Sequence, residues 1–296
     1  MAEELHGIHA VPMVDAEALA TVSAIRNRLS VVPELLDRWN RVSRVGAGPR
    51  SELAQDDIIT SWTHLSSHAH HSLNHAADCL RALTTLIPSG GPLSIPLVAH
   101  YPVARSGLEA ASVALWVLHP DEPKARVERH LRNLWREVRD EASLSNASEN
   151  YVRDGQAPML DQHRKGQKAW RKRYVDQIRG VAGRAGVPDP TLVKHAVGFA
   201  EIVGQATEAT GVMGGYGEMV WRLISGLSHP SMLRSIHFMH GTEMAVDDDG
   251  LVNMQVTNNV ETLRLTVDAL LLQFQTAVET LGRRKIQIAQ SSAGSS

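Results

Sequence analysis

Apolar residues recur three and four positions apart through most of this chain, the spacing that puts them on one face of a helix. From Val14 to about Arg44 the spacing predicts helix, interrupted at Pro33, which cannot donate the amide hydrogen bond a helix interior needs. GAGPRS (Gly46–Ser51) reads as a linker. A long helical pattern runs from Glu52 to Leu86 and closes at IPSGGP. A third, about Ile95 to Leu118, is perturbed by Pro102 and ended by HPDEP. Charged helices are predicted from Lys124 to about Leu144 and from about Leu160 to Arg184, with a polar loop over Ser145–Pro158 between them. After VPDPT come a helix over Thr191–Thr207, the glycine-rich turn TGVMGGYG, and the helix that carries WRLISGLSHPS (Trp221–Ser231). Alternation over Ile236–Thr257 around DDDG (Asp247–Gly250) predicts a small β-hairpin. A last helix spans about Asn259 to Arg284. The expectation is an all-α, multi-helix bundle of seven or eight helices with one hairpin near 236–257. It divides into an N-terminal helical arm (1–50), a bundle (51–285) and a disordered tail (286–296).

Composition agrees with packed helices. Of 296 residues, 43% are apolar and only 4% aromatic, so the core is built from Leu, Val, Ile and Ala. A net charge of −2 leaves no global basic field, and any nucleic-acid contact must come from a local patch. Cys79 is the single cysteine, which excludes an intramolecular disulfide framework and any multi-cysteine metal site, and fits a reducing compartment. The acidic N-terminus lacks the apolar segment of a signal peptide, and no run approaches the ~18 apolar residues of a membrane span. A cytoplasmic protein with no membrane association is expected.

Three groups of residues carry candidate chemistry. Ser61–Leu80 reads SWTHLSSHAHHSLNHAADCL and puts His64, His68, His71 and His75 at i, i+4, i+7 and i+11. At about 100° per residue these four lie roughly opposite the stripe of Leu65, Ala69, Leu73 and Leu80. Histidines one turn apart can share a metal ion, although this helix offers no Glu-x-x-His; the alternative is a polar helix face that is rich in histidine. In the third helix, Arg105 and Glu109 stand one turn apart among apolar neighbours, so Glu109 needs a cation, with Arg105 and Arg222 as the candidates. HRKGQKAWRKR (His163–Arg173) holds Arg164, Lys165, Lys168, Arg171, Lys172 and Arg173 around Trp170. It reads either as a phosphate-contacting strip with a stacking ring or as a solvated helix face.

WRLISGLSHPS places Arg222 and His229 with six residues between them, and Pro230 pushes His229 out of the α conformation. Pro230 is suited to open the next helix, leaving His229 at a helix start, where a neutral imidazole is favoured. A neutral histidine moves a 2′-hydroxyl proton and an arginine holds the phosphate, with no cofactor required. An arginine followed by four to six residues and a histidine is a loose pattern, because Arg234 and His240, with five between them, satisfy it too. Three stretches in order, HHSLNHAADCLRAL (His70–Leu83), ARSGLEAASVALWVLHP (Ala104–Pro120) and WRLISGLSHPS, give the specificity. On these the chain resembles the HEPN superfamily over about residues 55–235, and more closely a group of bacterial all-α proteins with the same late Arg-x6-His. The resemblance implies a homodimer that brings two Arg–His motifs together for metal-free cleavage of RNA, in a defence or stress module. Carried over, Arg222 and His229 are the catalytic pair and Glu109 supports them. Leu223 stands where the family often has Asn or Asp, and six intervening residues is the long end of its range. The resemblance equally admits a catalytically silent helical protein that binds or regulates a protein partner.

Overall fold

The computed structural model describes residues 15–90, 95–149, 157–229, 231–246 and 252–286. Among them, in chain order, are α1 (Ala16–Leu29), α2 (Val32–Arg44), α3 (Glu52–Ile59), α4 (Leu65–Leu86), α5 (His100–Leu118), α6 (Pro123–Glu149) and α7 (Ala157–Ala185). A single 3-10 turn (Pro190–Leu192) leads to α8 (Phe199–Glu208), α9 (Gly214–Leu227) and α10 (Met232–Phe238). An antiparallel hairpin of β1 (His240–Val246) and β2 (Val252–Thr257) follows, and α11 (Val260–Lys285) closes the order. The hairpin pairs His240 with Thr257 and Val246 with Val252, with an irregularity between Glu243 and Ala245. The architecture is an all-α multi-helix bundle with one hairpin attached.

Eleven helices among the described residues exceed the seven or eight expected, because two long patterns are each cut in two and a short helix, α10, stands where strand was expected. Pro33 sits in the first turn of α2, where its missing amide costs nothing, so the break falls at Ser30–Val31 instead. The pattern from Glu52 to Leu86 is divided by one hydroxyl. Thr60 Oγ1 donates to the Asp56 carbonyl at 2.8 Å, ending α3, and accepts from the Leu65 amide at 3.1 Å, starting α4. The strand expected from Ile236 begins only at His240, since α10 continues to Phe238. The helix expected from Thr191 begins at Phe199, because Asp189 caps a 3-10 turn by accepting from the Thr191 amide at 2.8 Å. Of the polar stretch 145–158, the described residues are helical, with α6 reaching Glu149 and α7 starting at Ala157; 150–156 lie outside the described residues. Pro230, the DDDG turn and the tail from 287 lie outside the described residues.

Helix α5 is buried on almost every side, as a sequence apolar all round demands. Every residue from Ala111 to Leu118 is buried, packed by α4 and α11 on one side and by α8 and α9 on the other. Gly107 marks the tightest approach: a Cβ there would lie 2.9 Å from Cys79 Cβ and 3.1 Å from Leu270 Cδ2. Val22, Ile25, Leu29 and Trp39 of the N-terminal helices enter this same core. Lys285 ties them down, donating to the Val42 and Val45 carbonyls at the end of α2, both at 2.8 Å, and to His70 Nε2 at 3.0 Å. A second layer, α6 on α7, buries Val127, Leu131, Trp135, Ile178 and Val181.

The layers are joined by a buried ion pair. Arg126 of α6 grips Asp56 of α3 with two bonds, of 2.6 and 3.2 Å, both side chains being 1% exposed. Its remaining nitrogen donates to the Pro120 and Asp121 carbonyls just beyond α5. Arg284 of α11 binds the Leu118, His119 and Pro120 carbonyls from the other side and also engages Glu52 and Asp121.

Asp56→Ala leaves Arg126 buried without a counter-charge and is expected to cost about 3–5 kcal/mol in denaturant unfolding. Gly107→Ala forces α4 and α11 apart and is expected to cost about 1–3 kcal/mol in the same assay.

Candidate functional site

One strip of α5 escapes burial by apolar neighbours, and it carries Arg105, Ser106 and Glu109, all half-buried. The two charged residues are one helical turn apart, so their side chains meet: Arg105 Nε donates to Glu109 Oε1 at 2.8 Å. The same oxygen accepts from Trp221 Nε1 of α9 at 2.7 Å. The Arg105 guanidinium lies 5.6 Å from the Trp221 ring centroid. Its Nη1 donates to Nε2 of the exposed His229 at 3.3 Å. Four side chains from α5, α9 and the turn after α9 thus form one hydrogen-bonded chain, with carboxylate, cation and imidazole in sequence. Because the guanidinium has only donors, His229 Nε2 is the accepting nitrogen and the ring proton resides on Nδ1.

Arg222 is elsewhere. Its guanidinium pairs with Glu218 at 2.7 Å, both groups well exposed, and its backbone carbonyl accepts from Arg234 Nη1 at 3.0 Å. Seven residues are two turns, about 10.5 Å along an axis, and α9 ends at Leu227, before His229. Arg222 therefore turns back to its i−4 neighbour, and the arginine brought to His229 is Arg105. Of the three residues carried over from the resemblance, Glu109 and His229 are joined through Arg105, and Arg222 stands apart. Arg105 was legible as a partner of Glu109 from its spacing; Trp221 carried no such signal, because its role depends on how α9 crosses α5. The next helix, α10, begins at Met232; the expectation for Pro230 lies outside the described residues.

The histidines of α4 point to different neighbours. His64 and His71 are exposed, with His64 preceding the first turn of α4. His75 Nε2 lies 2.6 Å from Ser106 Oγ on α5. His68 is buried against α6, its Nδ1 3.0 Å from His130 Nδ1, its Nε2 2.7 Å from Asn133 Nδ2 and 3.4 Å from Glu137. His130 Nε2 in turn donates to the Thr63 carbonyl at 2.9 Å. That bond leaves His130 Nδ1 as acceptor and His68 Nδ1 as donor, so neutral rings satisfy every nitrogen. Burial, with the neighbouring His68 adding to it, pushes the His130 pKa down to about 3. Among the described residues no group of three or more His, Cys, Asp or Glu is placed to hold a metal ion.

The basic strip is likewise divided. Lys165 pairs with Asp161 at 2.6 Å and Lys172 with Asp176 at 2.7 Å. Arg164, Lys168, Arg171 and Arg173 are exposed, and the Arg173 guanidinium lies 5.7 Å from the Tyr174 ring. Trp170 is half-buried, tilted against Tyr174 at 4.6 Å in the α6–α7 layer, so it packs rather than projects. An open groove of about 590 Å³ runs along another face of α7 and collects Lys172 and Arg173 together with Arg184 and Trp62.

No family model, curated protein or solved structure matches this chain. Among the described residues no helix is long and apolar enough to cross a membrane.

The buried histidine pair makes a pH prediction. A His130 pKa near 3 in the folded chain, against 6.5 unfolded, means that the unfolded state takes up the proton first as pH falls. Its contribution is full above pH 6.5 and is lost progressively toward 3, at about 1.4 kcal/mol per pH unit. Unfolding free energies of wild type and His130→Gln between pH 7 and 4.5 should converge on acidification, the variant showing the shallower loss.

Proposed function

We propose that this chain is a HEPN-like, metal-independent RNA-cleaving protein that works as a homodimer in the cytoplasm. In this reading Arg105 takes the role that the sequence motif assigns to Arg222. The observation that carries it is the Arg105 guanidinium held 3.3 Å from Nε2 of the exposed His229. Glu109 and Trp221 hold Arg105 from behind. An RNA 2′-hydroxyl replaces Arg105 at Nε2, the basic nitrogen, and gives up its proton there as its oxygen bonds to the adjacent phosphorus; the P–O5′ bond breaks and the 5′-oxygen leaves with a proton returned by the imidazolium. The released guanidinium turns to the adjacent phosphate and stabilises the charge that develops on it. Glu109 is a positioning residue in this scheme. Arg222, exposed on α9 and paired with Glu218, supplies a second cation for a flanking phosphate.

A second reading is favoured by the closure of the same network. Nε and Nη1 of Arg105 and Nε1 of Trp221 already have partners within the chain, as expected of a silent helical protein that binds or regulates another protein. RNA cleavage in EDTA, with thermal melts of each variant, separates the two. The catalytic reading expects cleavage by wild type and a loss of about 10²–10⁴-fold in His229→Ala, with its melting temperature retained. It expects about 10²–10³-fold loss in Arg105→Ala. Wild type that does not cleave, beside variants that melt early, makes the four-residue network architectural.

A further inference from the structure

We infer that the groove along α7 binds single-stranded nucleic acid, holding successive phosphates on Lys172, Arg173 and Arg184 and a base against Trp62. The groove face of α7 repeats at helical spacing. Ala169, Arg173, Gly180 and Arg184 fall on it, and Trp62, from the turn between α3 and α4, walls it. Small residues keep it open, since a Cβ on Gly180 would meet nothing closer than an Arg184 nitrogen at 3.5 Å.

Its charge is available. Neither Arg173 nor Arg184 has a carboxylate partner among the described residues, and both are exposed. Asp176, the acidic residue of this face, is taken up by Lys172 in an exposed pair of the kind that phosphate readily displaces. The spacing selects the ligand. Arg173 and Arg184 are eleven residues apart, about 16 Å along the helix, a backbone separation that suits anionic groups in series better than one phosphate. A ligand that uses both carries anionic groups in series. Trp62 is half-buried, as Trp170 is, and its ring is held edge-on against Tyr174 at 5.3 Å, but unlike Trp170 it lines the groove beside the cations. A backbone of serial phosphates with planar bases meets all three features, and an acidic peptide meets only the charge. The binding strip therefore differs from the one read along the sequence: Trp62 and Arg184 line the groove, and Trp170 does not.

This inference rests on the proposed function for the class of ligand alone; it concerns binding and is independent of cleavage. Fluorescently labelled single-stranded RNA, titrated with full-length protein in EDTA across a range of salt concentrations, tests it. His229→Ala serves as the background, so that turnover does not interfere. Arg173→Ala/Arg184→Ala, two exposed positions that leave the fold intact, should weaken RNA binding at least tenfold. The same pair should flatten the slope of log affinity against log salt by about 1.4. Trp62→Leu should weaken RNA about tenfold while leaving inorganic polyphosphate binding unchanged. An unchanged salt slope in the double variant overturns the inference. So does polyglutamate competing as well as RNA, or a wild type that binds no strand. RNA bound through the groove without cleavage sinks the catalytic proposal and leaves this one standing. Cleavage indifferent to the groove variants does the reverse.

Discussion

Burial of α5 on nearly all sides is the constraint from which the remaining geometry follows. A helix apolar all round must be enclosed, and α4, α8, α9 and α11 enclose it. Only Arg105, Ser106 and Glu109 are left as a polar strip, and each then has to find a partner on the helices that happen to flank it. Glu109 finds Trp221 on α9, and Ser106 finds His75 on α4. Gly107 lies between these two contacts and lets Cys79 and Leu270 come close, so tight apolar packing and the placement of the polar chain are set by adjacent residues.

The end of α5 is held as firmly as its middle. Helix termini leave carbonyls unpaired, and here two arginines from different helices take them up. Arg126 does so while gripping Asp56, which couples the orientation of α6 to α3 and hence to the turn that carries Trp62. The second layer, α6 with α7, is therefore registered on the core by charge at one end and by the His68–His130 contact further along. A buried pair of this kind adds little net stability compared with apolar residues of the same volume; its value here is that it permits only one arrangement of the layers.

The two candidate surfaces use positive charge in different ways. Arg105 is half-buried, neutralised by Glu109 and fixed against Trp221, so it acts at one position and is weakly screened. Arg173 and Arg184 are exposed on a single helix and held by no carboxylate among the described residues, which suits contact with a long polyanion at a cost in salt sensitivity. The net charge of −2 is compatible with both, because neither depends on the field of the whole molecule.

Local sequence was enough to place most of the helices and the hairpin and to offer Arg105 as one of two cations for Glu109, because each depends on spacing within a few turns. Ser51 and Asn259 cap α3 and α11 by accepting from the Ala54 and Thr262 amides, which the apolar spacing did not mark. The break at Thr60 was not marked either, since its hydroxyl serves two helices at once and the apolar pattern runs through it. The histidines of α4 show the limit most clearly. Their spacing placed them on one helix, yet His68 faces α6, His75 faces α5, and His64 and His71 face solvent. Arg222 and His229 are near in sequence but joined to different partners, and Arg105, 124 residues before His229, is the one in contact. Tertiary structure decided these pairings because a helix fixes only the direction in which a side chain leaves the axis. What it meets there is set by the packing of apolar faces that can be far apart in the chain.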